Sequence, residues 1–271
     1  MIHHLDDPAA GLKAILNVLR PAGGLLLMVY GTLGRVGVYP VQEMLRDLAP
    51  ATEPAPERIA MAKRLLGVLP QTNWLQRSPH ITDHRGSDVG IYDLLLHSID
   101  KSYTVMELAD LLASVGLRIT TFAESALYEP AFWCKDEFIA RRLNHLSHIR
   151  KAAFAERFLS FIKMHIVFVV RQENPVAQPV PNLAAVPIWA TKIDDKYPDL
   201  PFSGGYSLQS TPMNVQFTAV ESQVVRLIDG EKSIGQIMEI SGLPRSEFDR
   251  AFLKVWSNLH GIGVLFLRLP Q

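Results

Sequence analysis

The sequence predicts an α/β fold followed by a second, mainly helical domain, and three observations support this prediction. An uninterrupted apolar run, Leu25–Tyr30, follows a segment whose apolar residues have helical spacing. A helix, a glycine and a strand succeed one another over residues 105–123, and another strand is predicted over 164–172. After residue 172 prolines cluster and short helical patterns replace the strands.

Composition and charge exclude several classes of protein. The chain has 271 residues, 48% hydrophobic and 20% charged, with 27 Lys+Arg against 27 Asp+Glu. These values are typical of a globular protein, and zero formal net charge gives no general electrostatic reason to bind nucleic acid or a membrane surface. No run approaches the ~18 apolar residues of a membrane span. Because Cys134 is the single cysteine, no internal disulfide can form, and a cytoplasmic location is expected.

The first predicted helix begins at Asp6, Asp7 and Pro8 and ends before Gly23. The following run, Leu25–Tyr30, has no polar alternation, which predicts a strand buried on both faces of a largely parallel sheet. An isolated strand of this kind would expose apolar surface and an unpaired edge. Such a strand is therefore expected to be part of a larger sheet.

Residues 31–102 read as a helical insertion between the first two strands. Two helices are predicted in it, Val41–Leu48 and Pro56–Leu69, and an insertion of this length often covers a site. Beyond it we predict a helix over Val105–Ser114, capped by Gly116, a strand over 118–123, a broadly helical stretch over 135–162, and the strand over 164–172.

The end of the chain is organised differently. Residues 173–187 carry the proline cluster and are predicted to be an extended linker. Residues 188–271 contain three short helical patterns followed by the strand VLFLRL, an order that resembles a winged-helix-like module, and 183–271 are expected to fold alone. From Glu173 onward there are eight basic and ten acidic residues, the wrong sign for nucleic acid. A protein contact is the preferred interpretation.

The stretch IHHLDDPAAGLKAILNVLRPAGGLLLMVYG resembles the middle of class I S-adenosylmethionine (SAM) dependent methyltransferases. In that family a histidine-rich step, LHHL.DP, follows the fourth strand, and LRPGG.LLL enters the fifth. The later segments TVMELADLLASVGLRITTFAES and MHIVFVVRQ stand where the family places its last helix and its sixth and seventh strands. The resemblance covers residues 1–172. It implies a partial Rossmann-like sheet made of the last three strands, with 31–102 as a helical cap.

The same resemblance implies that parts of the family pattern are missing. No Gly-rich loop after a first strand and no acidic residue after a second or third strand can be matched, although ligands of such sheets bind at that switch point. We therefore expect an N-terminally truncated member, which is an internal start, an assembly truncation or a degenerate paralogue. Its SAM site is expected to be incomplete and the isolated chain inactive. The loss of four strands would also leave Leu25–Tyr30 with an unpaired edge and an uncovered apolar flank, so self-association is expected unless the cap folds over it. The alternative is a non-catalytic protein-interaction module derived from a methyltransferase.

The resemblance places His3 and His4 beside the methyl donor and the acceptor, as catalytic and cofactor-binding residues. A histidine there could orient or deprotonate the acceptor, which is an unknown small molecule or protein. The alternative is that one histidine packs under the helix and the other caps the chain. Tyr30, Arg35 and Tyr39 are expected at the rim of the site as substrate-binding residues.

In the cap, Tyr92, Asp93 and His97 are expected to touch the acceptor, since Asp93 and His97 are four residues apart on one helical face. The alternative is a surface helix with its leucines packed inward. Gly31, Gly34 and Gly37 lack the spacing of a phosphate-binding loop and indicate a flexible strand exit. No histidine pair has the partners of a metal site, so no metal is predicted.

Overall fold

The computed structural model describes residues 2–175, 180–190, 203–209 and 211–268. The chain divides into two compact units, one formed by 1–119 with 146–174 and the other by 120–145 with 175–271. The sequence predicts a division near residue 172. Residues 120–145, assigned by that prediction to the first domain, group with the second unit.

The first unit is built on strands β1 (Gly24–Gly31), β2 (Ser102–Tyr103), β3 (Leu117–Phe122) and β4 (Met164–Arg171). They form one sheet in the order β2-β1-β4-β3, and the unit division falls within β3. The three predicted strands are thus confirmed, and the two-residue β2 is an addition.

The expectation of a largely parallel sheet with β1 buried on both faces is wrong in two respects. β1 is parallel only to β2 and runs antiparallel to β4, from Gly24 opposite Val170 to Tyr30 opposite Met164. Leu27 and Val29 are buried, whereas Leu26, which precedes Leu27 in the same strand, is 58% exposed. An apolar run reports neither the direction of the neighbouring strand nor whether its second face is covered.

Helices α1 (Pro8–Val18), α5 (Val105–Ser114) and α8 (His148–Leu159) belong to the same unit. α1 begins as predicted, because the Asp7 side chain accepts from the Ala10 backbone N–H. α5 has a capping box between Thr104 and Glu107, and the predicted Gly116 follows it with φ of +81°. These helices pack on one another beside the sheet, α5 contacting both α1 and α8.

The predicted helical stretch 135–162 is two helices rather than one. α7 (Glu137–Leu143) ends before Ser147, whose side chain caps the start of α8 by accepting from the Arg150 N–H. α8 ends at Ser160, a non-glycine residue with φ of +55°. The apolar spacing alone predicted one continuous helix, but Ser147 caps the start of a new one and so divides the stretch in two.

The insertion over 31–102 is helical, as predicted, and has its own core. It contains α2 (Val38–Leu48), α3 (Ala55–Val68), α4 (Asp88–Ile91) and a π-helical turn, Tyr92–Leu96. Most of its buried apolar residues form one cluster: Val38, Val41, Leu45, Ala62, Leu69, Leu75, Ile81, Ile91, Leu94, Leu95 and Leu96. We refer to residues 31–102 as the cap.

The glycines after β1 allow close packing. A Cβ on Gly34 would lie 2.2 Å from the Ile162 carbonyl carbon, and one on Gly37 would lie 2.5 Å from the Leu75 nitrogen. Since both would meet backbone, no side chain can move aside. These glycines fix the exit of β1 against two other segments, so the flexible exit predicted from the sequence is wrong.

In the second unit, α6 (Pro130–Trp133) and α7 precede three helices that match the predicted ones, α9 (Ala219–Arg226), α10 (Ile234–Ser241) and α11 (Arg245–Gly261). Two antiparallel strand pairs complete it: β5 (Val186–Trp189) with β8 (Leu265–Arg268), and β6 (Ser203–Leu208) with β7 (Thr211–Gln216). Phe248, Val255 and Leu259 of α11 are fully buried.

The end of the predicted linker is ordered structure. Val186 and Pro187 belong to β5, and the carbonyls of Leu183 and Ala185 accept from the N–H groups of Gly235 and Ile234. Pro187 is tolerated because it stands opposite Leu267 at a position where strand residues do not exchange hydrogen bonds. Residues 176–179, in the centre of the linker, lie outside the described residues.

Candidate functional site

Three segments of the first unit bring four rings together at the carboxyl end of β1. The 3-10 turn Ile2–His4 lies beside the strand, and the centroids of the His3 and Tyr30 rings are 4.4 Å apart. The ring of His4 is 4.3 Å from that of His3, and the ring of His97, from the cap, is 4.1 Å from that of His4. We call His3, His4, Tyr30 and His97 the ring stack.

Arg35 closes one end of the ring stack. Its Cζ lies 3.8 Å from the centre of the Tyr30 ring, a distance suited to a cation–π contact, and its Nε donates to the Tyr39 hydroxyl at 3.3 Å. Burial, the largest single influence, lowers the pKa of the Arg35 guanidinium, but Asp100, Tyr39 and Tyr30 together outweigh it, so the net effect raises that pKa. The side chain therefore stays charged inside the protein.

Asp100 is the counter-charge of Arg35 and has no exposed side-chain surface. Its Oδ2 accepts from Arg35 at 2.6 Å and from the Gln42 Nε2 at 2.8 Å. Gln42 also donates to the Leu94 carbonyl at 2.8 Å. Oδ1 of Asp100 is buried and has no hydrogen-bond partner among the described residues. The network joins the exit of β1 to helix α2 and to the end of the cap.

His3 and His4 have different environments although they are adjacent. His3 is completely buried, and neither ring nitrogen has a hydrogen-bond partner within the described part of the chain. Burial lowers the pKa of His3 from its usual 6.5 to about 4, and His4 acts in the same direction, so His3 is neutral at pH 7. His4 is half-buried, and its Nδ1 lies 2.6 Å from the Ile99 carbonyl oxygen.

The aromatic hydroxyls at the site are also perturbed. Burial, and next the charge of Asp93, raise the pKa of Tyr30. Burial likewise raises the pKa of Tyr39, against an opposing hydrogen bond with Ser102. Both phenols are therefore protonated at neutral pH and act as hydrogen-bonding groups, not bases.

The structure brings together most of the residues that the sequence singled out. His3, His4, Tyr30, Arg35, Tyr39 and His97 lie in one contiguous cluster, and Asp93 is close enough to act on Tyr30. Tyr92 does not join them. Tyr92 is 37% exposed, and its ring centre lies 5.8 Å from the Cζ of Arg58. Arg58 in turn donates hydrogen bonds to the backbone carbonyls of Ala49 and Leu96.

Sequence reasoning missed Asp100 and Gln42 as parts of the site. Asp100 belongs to the polar segment that carries Asp93 and His97, but nothing in its spacing marks it as the partner of Arg35. Gln42 lies on the buried face of α2, among valines and leucines. A polar side chain on an otherwise apolar helical face was the available signal for Gln42.

A second buried polar pair lies next to the same strand end. Glu156, fully buried, accepts from the Val105 N–H at 2.9 Å through Oε2, and its Oε1 is 3.3 Å from Nε2 of His165. The Oε1–Nε2 contact is within ion-pair distance but is not a hydrogen bond. Nε2 of His165 instead makes a hydrogen bond with the Tyr103 carbonyl oxygen, at 2.9 Å. The pair ties β2, α5, α8 and β4 together.

An open cleft of about 510 Å³ lies elsewhere, within the cap. Its lining includes Lys63, Gln76, His84, Arg85 and Asp88, and none of the sequence-predicted site residues. Lys63 and Asp88 pair with each other across it at 2.6 Å. Within the described segments no group of three or more His, Cys, Asp or Glu side chains is arranged to hold a metal ion. Nor does any helix described there have the length and apolarity to cross a membrane.

No protein-family model matches the chain. Protein syc1184_c of Synechococcus sp. is 26% identical over 135 residues, which is 48% of this chain and 32% of that protein. PKMT2 from Rickettsia typhi has a similar structure, with a TM-score of 0.63 and 12% identity over 98% of this chain. The same protein in complex with AdoHcy gives the same score over 100% of the chain.

The structural likeness shows the fold. The chain is a mixed α/β protein with a methyltransferase fold, similar to PKMT2 from end to end. It spans 56–57% of the PKMT2 chains, and less than a third of the Synechococcus protein.

Proposed function

We propose that the chain is part of a SAM-dependent methyltransferase. The observation that carries the proposal is the likeness of its fold, over its whole described length, to a structure that contains AdoHcy, the product left when SAM gives up its methyl group. The position of the ring stack supports it, because ligands of open α/β sheets bind beyond the carboxyl ends of the strands. SAM, when bound, supplies the activated methyl group on its sulfonium.

The residues of the ring stack are chemically compatible with that group. Aromatic faces attract a methylsulfonium cation, and the Arg35 guanidinium, which lies over Tyr30, is neutralised by Asp100 and so does not repel it. Buried, neutral His3 shapes the floor without adding charge. Residues able to hold a ribose or an adenine are not identified among the described ones, so binding by this chain alone is expected to be weak.

The proposed roles follow from exposure. His4, half-buried, takes the proton that the acceptor loses, whereas fully buried His3 positions His4 and Tyr30. Arg35 and Tyr39 fix the wall of the site, and Asp93 and His97 contact the acceptor from the cap. Tyr92, on the Arg58 side, is proposed only as a peripheral contact. Since PKMT2 is a protein lysine methyltransferase, a lysine amine of a protein is the acceptor to test first.

The second unit is proposed to be a winged-helix-like accessory unit that contacts protein. α9, α10 and α11 with the β5–β8 pair supply its three helices and a small sheet. Residues 173–271, most of which belong to this unit, carry eight basic and ten acidic residues, and this balance favours a protein partner over nucleic acid.

Titration with AdoHcy tests the proposal on the chain as it stands. We expect selective shifts of the amide signals of His4, Tyr30 and Gly31 in ¹H–¹⁵N spectra at millimolar AdoHcy. Asp88→Asn, in the separate cleft of the cap, is the matched control and should leave those shifts unchanged. Micromolar affinity by calorimetry would show that the SAM site is complete in this chain. The absence of any shift would favour the non-catalytic interaction module.

One observation favours that second candidate, a protein-interaction module. Leu26 stands in the middle of β1 and is 58% exposed, so it offers apolar surface on one face of the sheet. We propose that this part of the sheet associates with a second copy of the chain. Sedimentation velocity should show self-association that Leu26→Gln reduces, and a strictly monomeric protein at high concentration would refute it.

A further inference from the structure

One residue of the cap contacts both accessible histidines of the ring stack through its main chain. The carbonyl oxygen of Ile99 lies 2.6 Å from Nδ1 of His4, and the N–H of Ile99 donates to Nδ1 of His97 at 3.2 Å. A carbonyl can only accept, so Nδ1 of His4 must carry a proton. An amide N–H can only donate, so Nδ1 of His97 must carry a lone pair.

We propose that the main chain of Ile99 locks His4 and His97 in opposite tautomers, which makes them a matched acceptor and donor. With Nδ1 protonated, neutral His4 presents a lone pair at Nε2. With Nδ1 occupied as an acceptor, neutral His97 presents an N–H at Nε2. Ile99 is thus a positioning residue, and its role in catalysis rests on the proposed function.

The two Nε2 atoms are available to a ligand. Neither has a hydrogen-bond partner among the described residues, and neither is among the buried polar atoms that lack one. Both nitrogens of His3, in contrast, are enclosed. The ring centroids of His4 and His97 are 4.1 Å apart, with an interplanar angle of 33°, so the two imidazoles lie in direct contact. The pair suits a substrate group that donates one hydrogen bond and accepts another.

The assignment fixes the direction of proton transfer. When the acceptor atom forms its bond to the methyl carbon, the bond from that carbon to sulfur breaks, and its electron pair leaves sulfur uncharged. The proton lost by the acceptor atom goes to Nε2 of His4, which becomes an imidazolium. His97 cannot take that proton at Nε2, which already carries one, and serves to hold the substrate.

Long-range ¹H–¹⁵N spectra of the chain labelled with ¹⁵N-histidine report each tautomer directly. We expect Nδ1–H for His4 and Nε2–H for His97 at neutral pH, each in about tenfold excess over the other form. His4→Gln and His97→Gln assign the signals by their disappearance. The same tautomer on both rings, or averaging on both, would overturn the proposal.

Two variants of His97 separate anchoring from packing. In His97→Asn the side-chain oxygen still accepts from the N–H two residues on, so the Ile99 loop stays in place and His4 keeps Nδ1–H. In His97→Gln that short bond is lost, and His4 should become a mixture of the two tautomers. A folded chain in which both variants leave His4 unchanged would show that Ile99 is not the anchor.

These outcomes are independent of cofactor binding. Locked opposite tautomers in a chain that does not respond to AdoHcy would retain the positioning role and favour the non-catalytic interaction module. AdoHcy binding by a chain in which the two histidines are not locked in opposite tautomers would support the methyltransferase proposal and refute the positioning role of Ile99.

Discussion

The guanidinium of Arg35 donates to the carboxylate of Asp100 at 2.6 Å, and both side chains are buried, with 4% and 0% of their surface exposed. Arg35 follows strand β1, whereas Asp100 lies at the far end of the cap. Their contact, reinforced by Gln42, joins the two ends of the insertion where the ring stack is built. Removing a charge from this pair should therefore affect both stability and the site.

Asp100→Asn is expected to lower the free energy of unfolding by about 3 kcal/mol, because it leaves the buried charge of Arg35 without a counter-charge. Urea unfolding followed by circular dichroism measures the loss. Asp88→Asn removes a charge from the exposed Lys63–Asp88 pair, whose side chains are 52% and 60% exposed, and should cost less than about 1 kcal/mol. Equal effects of the two substitutions would show that the Arg35–Asp100 pair is not buried in solution.

Acid should destabilise the protein through His3. Its pKa is lowered by burial from 6.5 to about 4, so between these values the unfolded chain binds more protons than the folded one. The stabilising contribution is complete above pH 6.5 and is lost as the pH falls toward 4. Burial also lowers the pKa values of His84, His148 and His260, which act in the same direction.

His3→Leu isolates this contribution, since leucine fills a similar volume and does not titrate. Between pH 7 and pH 5 the natural chain should lose about 2 kcal/mol more stability than His3→Leu. The measurement is a pair of urea titrations at each pH. If both proteins lose the same amount, the His3 ring is already hydrated in the folded state.

Gly34→Ala tests the close approach at the exit of β1. Its Cβ would lie 2.2 Å from the carbonyl carbon and 2.3 Å from the carbonyl oxygen of Ile162, so backbone must move, and we expect a loss of about 2–3 kcal/mol. Gly67→Ala, near the end of α3, meets nothing within 4 Å and should raise stability by about 0.5 kcal/mol. Thermal unfolding compares them, and a neutral Gly34→Ala would mean that the exit of β1 is loosely packed.

Local signals in the sequence were sufficient for most of the longer helices and for the three main strands. Asp7 before Pro8, the apolar spacing of Val105–Ser114 and Gly116 are contained within a few residues, and each is confirmed. His3 and His4 were predicted as site residues through the resemblance to methyltransferases, and they lie beside Tyr30 at the end of β1. The features that could not be predicted depend on contacts between residues far apart in the sequence. Examples are the antiparallel pairing of β1 with β4 and the contact of Arg35 with Asp100.

Residues 120–145 illustrate the same limit. They follow α5 and β3 without any proline-rich or polar break, so nothing local separates them from the first domain. In the structure the turn Ser125–Tyr128 contacts α11, and a Cβ on Gly261 would be 3.1 Å from the Ala126 Cβ and 3.4 Å from the Phe132 ring. Close packing of this kind leaves no trace in either segment alone.

This packing changes what is expected of the fragment 183–271, which the sequence predicts to fold alone. Without residues 120–145 the fragment lacks the surface against which Gly261 packs, and a domain of under a hundred residues has little stability to spare. We expect a poorly dispersed amide spectrum for 183–271, and improved dispersion on addition of a peptide of residues 120–145. The same peptide with Ala126→Asp, which places a carboxylate against Gly261, is the control and should have no effect. A well-dispersed spectrum of 183–271 alone would show that its three helices suffice for a core and that the contact with residues 120–145 adds little.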